Sequence, residues 1–116
     1  MLEFDGATKR FGRLAALDGC TFSARPGRLT GFLGPNGAGK TTAMRAVFGL
    51  VDLDAGTVRW RGASITAGER MRFGYMPEER GLYPRMRVRD HLVYLGRLCG
   101  RTAAEVTRGV DRWLER

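Results

Sequence analysis

Residues 34–41 constrain the fold of this chain more than any other segment. They read Gly-Pro-Asn-Gly-Ala-Gly-Lys-Thr, so three glycines are interspersed with small or turn-forming residues before a lysine and a threonine. The mostly apolar residues 29–33 come directly before them and are typical of a strand that is buried on both faces. After them the apolar side chains take helical spacing, at Met44, Val47, Phe48 and Val51. The sequence therefore predicts a strand, a glycine-rich loop and an amphipathic helix in that order.

The segment matches GxxxxGK(S/T), the P-loop pattern, and its chemistry accounts for each residue type. Glycines let the backbone wrap closely and turn its N–H groups toward phosphate oxygens, while the helix N-terminus adds partial positive charge. Lys40 supplies a full charge to the β- and γ-phosphates, the Thr41 hydroxyl is placed to bind Mg²⁺, and Thr42 donates to an α-phosphate. The candidate phosphate-binding residues are Gly34, Pro35, Asn36, Gly37, Ala38, Gly39, Lys40, Thr41 and Thr42.

A glycine-rich turn with an incidental lysine is the alternative explanation of this segment. It is disfavoured because Lys40 is one of only two lysines in a chain that otherwise uses arginine as its cation. Arginine does not replace lysine freely as a compact point charge inside a narrow loop.

The rest of the chain alternates between strand and helix patterns. Short strands are predicted at residues 2–4, 20–24, 57–61 and 72–76, with a loop near Phe11 and a tight turn at residues 25–28. Thr102 and Glu105 have the spacing of a capping box at the start of a helix. Two helical faces are predicted near the end of the chain: Val88, Leu92, Leu95 and Leu98, and then Val106, Val110, Trp113 and Leu114.

Composition limits the class of protein. The 116 residues fit one domain, and 43% hydrophobic with 28% charged residues is ordinary for a soluble protein. No apolar run is long enough to span a bilayer, and no signal peptide is evident. The two cysteines lie far apart in the sequence, which argues against a disulfide framework. We therefore expect a cytosolic chain with reduced thiols.

The net charge of +8 is concentrated in residues 59–116, which carry thirteen Lys/Arg against seven Asp/Glu. This excess fits either a basic face for nucleic acid or a set of solvated arginines balanced by acidic sequence outside this chain. The second explanation is favoured because no block of five like charges occurs.

Other candidate residues carry a weaker signal. His91 has no evident catalytic or metal-ligand partner, so we expect a surface or half-buried helix position. Glu78 and Glu79 fit a paired carboxylate site or a solvated loop about equally. Periodicity alone places Phe11, Trp60 and Trp113 in the core.

Four segments together resemble the ATP-binding subunits of ABC transporters. Residues 32–42 resemble the Walker A segment of that family, and residues 9–12 resemble the segment in which an aromatic ring stacks on adenine. Residues 49–62 resemble the stretch after the P-loop helix. Residues 74–84 resemble the Q-loop and the start of the helical subdomain, in a form similar to drug- or sodium-efflux exporters.

The resemblance implies an α/β fold, namely the N-terminal half of an ABC-type P-loop nucleotide-binding domain. Residues 1–84 would form part of the ATP-binding core, and residues 85–116 would begin the helical subdomain. The implied cofactors are ATP and Mg²⁺. Phe11 would stack on adenine, Thr41 and Glu78 would bind Mg²⁺, and the loop at Glu78 would sense the γ-phosphate and touch the membrane partner. The family usually has Gln where this chain has Glu78.

The family's signature segment, Walker B carboxylates and switch histidine do not occur within these 116 residues. We therefore expect no catalytic residue in this chain and negligible ATPase activity from it alone. The complete protein would hydrolyse ATP as a dimer at the cytoplasmic face of the membrane and drive export through transmembrane subunits, without nucleic acid. The alternatives are a small P-loop kinase, for which no convincing acidic strand end is found, and a basic nucleic-acid-binding module.

Overall fold

A computed structural model of the chain describes residues 1–76, 81 and 83–115. These residues form two units, Met1–Arg70 and Met71–Arg116. Within the described ranges, no helix combines the length and apolar composition needed to cross a bilayer. The division into an ATP-binding core at residues 1–84 and the start of a helical subdomain at residues 85–116 stays a prediction.

The first unit contains an antiparallel sheet of four strands, β1 (Leu2–Phe11), β2 (Leu14–Ala24), β3 (Ala55–Trp60) and β4 (Ala63–Ser64). The strands lie in the order β2-β1-β3-β4. The strands predicted at residues 2–4, 20–24 and 57–61 are confirmed, and the first two are longer than expected. The loop predicted near Phe11 is confirmed as the turn at residues 12–13 that joins β1 to β2.

The strand predicted at residues 29–33 is absent, and Leu29 and Leu33 are almost fully exposed. A strand that is buried on both faces needs hydrogen-bonded neighbours, and no described strand pairs with this segment. Phe32 does pack on the sheet, since its ring stacks on Phe22 at a centroid distance of 5.0 Å. The strand predicted at residues 72–76 is also wrong, because this segment forms a turn and irregular backbone.

The predicted helix after the loop is confirmed as α1 (Lys40–Val47), but it is one turn shorter than its apolar pattern suggests. Gly49 ends it with positive φ in a Schellman arrangement, in which the Leu50 N–H donates to Arg45 O and the Gly49 N–H donates to Ala46 O. Its buried residues are Ala43, Ala46 and Val47, whereas Met44 is exposed. The short helix α2 (Ala67–Arg70) follows the sheet, and Arg70 Nε donates to Val47 O at the end of α1.

Two helices, α3 (Val88–Leu98) and α4 (Ala103–Leu114), form the second unit. The predicted capping box at Thr102 is confirmed in full. The predicted inward face of α3 is wrong, because that face is exposed and His91 is the buried residue of the helix. The exposed residues of that face are Val88, Leu92, Leu95 and Leu98.

Candidate functional site

Gly39 anchors the glycine-rich loop to the sheet. It is the N-cap of α1 and has φ of 81°, in the left-handed region where glycine is favoured. A Cβ at this position would collide with the backbone carbonyl oxygen of Ala16 on β2. Backbone geometry and the close approach to β2 therefore both require glycine here.

The carbonyl that meets Gly39 belongs to a β-bulge. Lys9 pairs with Leu17 and Arg10 pairs with Ala15, so Ala16 is an extra residue on β2 without a partner on β1. A bulge bends its strand and interrupts the regular ladder. This irregularity gives the loop and the start of α1 a fixed contact point on the sheet.

Lys40 folds back over the loop that precedes it. Its ammonium donates to the carbonyl oxygens of Gly34, at 2.6 Å, and Pro35, at 2.7 Å. The loop is closed further by a turn in which the Ala38 N–H donates to Pro35 O at 3.1 Å. Lys40, the one cation of the predicted motif, thus lies against the first two residues of the loop.

The N-terminus of α1 has no acidic residue in its first turn and no side-chain cap. Its partial positive charge is therefore not offset by a side chain of the helix itself. Thr41 is exposed and Thr42 is half-buried at this end. Backbone N–H groups and the lysine ammonium are donors that suit phosphate oxygens, and the threonine hydroxyl oxygen suits Mg²⁺.

Phe11 lies at the end of β1, where its side chain is 51% exposed, so the core position suggested by periodicity is wrong. It pairs with Leu14, two residues before the bulge at Ala16. Because a strand rises about 3.3 Å per residue, this pairing point is roughly 7 Å along β2 from the carbonyl that contacts Gly39. The hairpin therefore brings an exposed aromatic ring to the same end of the sheet as the loop.

Asp54 makes contacts that the sequence does not indicate. Its carboxylate accepts hydrogen bonds from Lys9 Nζ at 2.8 Å and from the Arg10 N–H at 2.7 Å. The Lys9 ammonium and then the Arg10 N–H hold the pKa of Asp54 below its ordinary value. No local pattern signals these bonds, because the partners are 45 and 44 residues apart in the sequence.

His91 does not belong to this site. It lies in the second unit with only 3% exposure, so the predicted surface or half-buried position is wrong. The Tyr83 N–H donates to its Nδ1 at 3.4 Å, while Nε2 has no hydrogen-bond partner among the described residues.

Glu78 and Glu79 lie outside the described residues. Within the described ranges, no three His, Cys, Asp or Glu side chains gather in a way that could hold a metal ion. Trp60 is half-buried, and Trp113 is exposed, so the core position predicted for Trp113 is wrong.

The glycine-rich loop, its lysine and the helix that follows are the features of a P-loop nucleotide-binding protein. The family model described as "ABC transporter" matches residues 17–116. The chain belongs to the ABC transporter family of ATP-binding proteins.

Relatives support this assignment over almost the whole chain. The chain is 45% identical to the uncharacterized ABC transporter ATP-binding protein YhaQ of Bacillus subtilis, over 100% of its own length and 39% of that protein. It is 40% identical to the Nod factor export ATP-binding protein I of Paraburkholderia xenovorans, over 98% of its length and 38% of that protein. The chain thus spans about two-fifths of the length of the curated relatives it matches.

A solved ATP-binding subunit of an ABC transporter has a similar fold. The two superpose with a TM-score of 0.74 at 28% identity, over 90% of this chain and 45% of the other. The α/β fold class predicted from the sequence, an N-terminal part of an ABC-type nucleotide-binding domain, is confirmed.

Proposed function

We propose that residues 34–42 bind the triphosphate of ATP together with Mg²⁺, and that Phe11 stacks on the adenine. The observation that carries this proposal is the position of Lys40, whose ammonium donates to the carbonyl oxygens of Gly34 and Pro35 at the start of the loop. A cation placed there is available to the β- and γ-phosphates without a large movement of the backbone.

The residues present suit the proposed cofactors. The loop offers backbone N–H groups at Gly37 and Gly39, and the helix N-terminus has no acidic side chain that would repel an anion. Mg²⁺ would neutralise part of the triphosphate charge, and the exposed Thr41 hydroxyl is its proposed ligand in this chain. Glu78 is proposed as a second Mg²⁺ ligand and γ-phosphate sensor by resemblance alone.

For the complete protein we propose ATP-driven export through transmembrane subunits, with two nucleotide-binding domains acting as a dimer at the cytoplasmic face. Support comes from the similarity to a relative named as an export ATP-binding protein. Hydrolysis needs carboxylates that position Mg²⁺ and the attacking water. The 116 residues alone contain no Walker B segment, so we propose nucleotide binding without steady-state turnover for this chain.

Isothermal titration of the chain with ATP and Mg²⁺ tests the binding proposal. Lys40→Ala is expected to weaken ATP binding by about tenfold or more, which corresponds to about 1.4 kcal/mol. Arg28→Ala removes the same charge from an exposed turn outside the loop and is expected to leave the affinity unchanged. Equal affinities of the parent chain and Lys40→Ala would contradict the proposal, as would steady-state ATPase activity that disappears in Lys40→Ala.

A further inference from the structure

Asp54 holds three consecutive residues at the end of β1. Its backbone N–H donates to Thr8 O at 2.9 Å, Oδ1 accepts from Lys9 Nζ at 2.8 Å, and Oδ2 accepts from the Arg10 N–H at 2.7 Å. Phe11 is the next residue along the strand. Asp54 therefore fixes the backbone directly before the exposed aromatic ring.

On the β3 side, the sheet does not supply this restraint. The ladder between β1 and β3 ends where Thr8 pairs with Ala55, so β3 offers no backbone acceptor beside Arg10. On its other edge β1 stays paired with β2 as far as Phe11, so beyond Thr8 only the edge that faces β3 lacks a strand partner. The Asp54 carboxylate accepts from the Arg10 N–H on this edge, and so extends the restraint on β1 two residues beyond Thr8.

Lys9 connects the carboxylate to the ring. Its side chain is only 17% exposed, and its ammonium lies 5.6 Å from the centroid of the Phe11 ring as well as 2.8 Å from Asp54 Oδ1. A cation at that distance over an aromatic face is attracted to the ring. The Lys9 ammonium thus lies over the Phe11 ring, and the side chain is still 51% exposed, which leaves ring surface for a planar base.

We propose that Asp54 is a positioning residue for nucleotide binding, which holds Phe11 ready for stacking through the Arg10 N–H and the Lys9 ammonium. This inference rests on the proposed binding of ATP. Ordering the ring before the base arrives removes part of the entropy cost of binding, because a side chain that is already fixed loses little freedom. Asp54 is therefore expected to strengthen the binding of the adenine base and not the binding of the phosphates.

The test measures the affinity of the full chain for ATP and for inorganic tripolyphosphate, each with Mg²⁺. Asp54→Ala is expected to weaken ATP binding by about threefold to tenfold, the range for one ordered side chain, and to leave tripolyphosphate binding unchanged. Asp52→Ala removes a neighbouring exposed carboxylate and is the matched control, with no change expected for either ligand.

A double-mutant cycle separates positioning from a general effect on structure. In the Phe11→Ala background, Asp54→Ala is expected to cause no further loss of ATP affinity, since there is no ring to position. If Asp54→Ala does not fold, Asp54→Asn and Lys9→Met provide the same test, because both remove the ion pair between Asp54 and Lys9. Asp54→Asn keeps one side-chain oxygen that accepts from the Arg10 N–H, and Lys9→Met leaves the bond between Asp54 and Arg10 intact. Far-UV circular dichroism verifies the fold of every variant.

The outcomes distinguish this inference from the proposed function. ATP affinity that is unchanged in folded Asp54 and Lys9 variants would overturn the positioning role alone. A loss that is equal for ATP and tripolyphosphate, or that persists in the absence of Phe11, would overturn it in favour of a structural role. A parent chain that binds neither ligand would overturn the proposed function and the positioning role together.

Discussion

Gly96 of α3 lies directly against Val106 of α4. A methyl group at Gly96 would be 2.5 Å from Cγ1 and 2.9 Å from Cγ2 of Val106. Valine has little rotamer freedom on a helix, so the two helices would have to separate to admit the methyl group. The absence of a side chain at Gly96 therefore sets how closely the two helices pack.

The first prediction compares Gly96→Ala with Gly109→Ala. Both changes improve helix propensity by about 1 kcal/mol, but only the first forces overpacking, which typically costs about 1–3 kcal/mol. A methyl group at Gly109 would meet no described atom within 4 Å. We expect Gly109→Ala to raise the free energy of unfolding and Gly96→Ala to leave it unchanged or lower it, as measured by urea denaturation.

The second prediction concerns the two glycines of the loop that have positive φ. Gly37, with φ of 84°, has no described atom within 4 Å of a Cβ, whereas Gly39, with φ of 81°, meets Ala16 O. An alanine at either site carries the left-handed penalty of about 1–2 kcal/mol. Only Gly39→Ala must also displace the loop from the bulge.

We therefore expect Gly39→Ala to lower the free energy of unfolding by clearly more than Gly37→Ala does. Thermal unfolding of the two variants under the same conditions measures the difference. Equal losses would show that the contact between Gly39 and Ala16 contributes nothing beyond backbone conformation.

Features that depend on neighbours in the sequence were predictable. The capping box of Thr102 and Glu105 involves residues three apart, and every contact expected of it is present. The loop and the helix that starts at Lys40 follow in the same way from glycine spacing and a change of period. Local chemistry determines such features before tertiary packing adds anything.

Features that depend on distant partners were not predictable. Leu29 and Leu33 have the composition of a buried strand, but burial requires neighbouring strands that the described residues do not supply. On α3 the four apolar residues of the predicted face are exposed, whereas His91 is buried with its ring near that of Tyr83, at a centroid distance of 5.2 Å. Hydrophobic periodicity does not reveal a polar residue that is buried by aromatic contacts.

The third prediction concerns the capping box and its dependence on pH. The Thr102 hydroxyl, followed by the Thr102 N–H, holds the pKa of Glu105 below its ordinary value of 4.5. A carboxylate with a lowered pKa in the folded state stabilises that state above the unfolded pKa, and the contribution is lost as the pH falls through the folded pKa. The contribution of the ionised Glu105 is therefore fully present at neutral pH and is lost in acid, as the pH falls below 4.5 and through the lower folded pKa.

Thr102→Ala removes the hydroxyl that binds both the Glu105 N–H and the Glu105 carboxylate. At neutral pH we expect it to lower the free energy of unfolding by about 1 kcal/mol, as for other N-cap threonines. In acid the loss becomes smaller, because the parent chain has then lost the charge-assisted bond as well. Thr102→Ser keeps the hydroxyl and serves as the control, with a pH dependence like that of the parent chain. A Thr102→Ala deficit that is the same at neutral and acid pH would contradict a role for the ionised Glu105 in the cap.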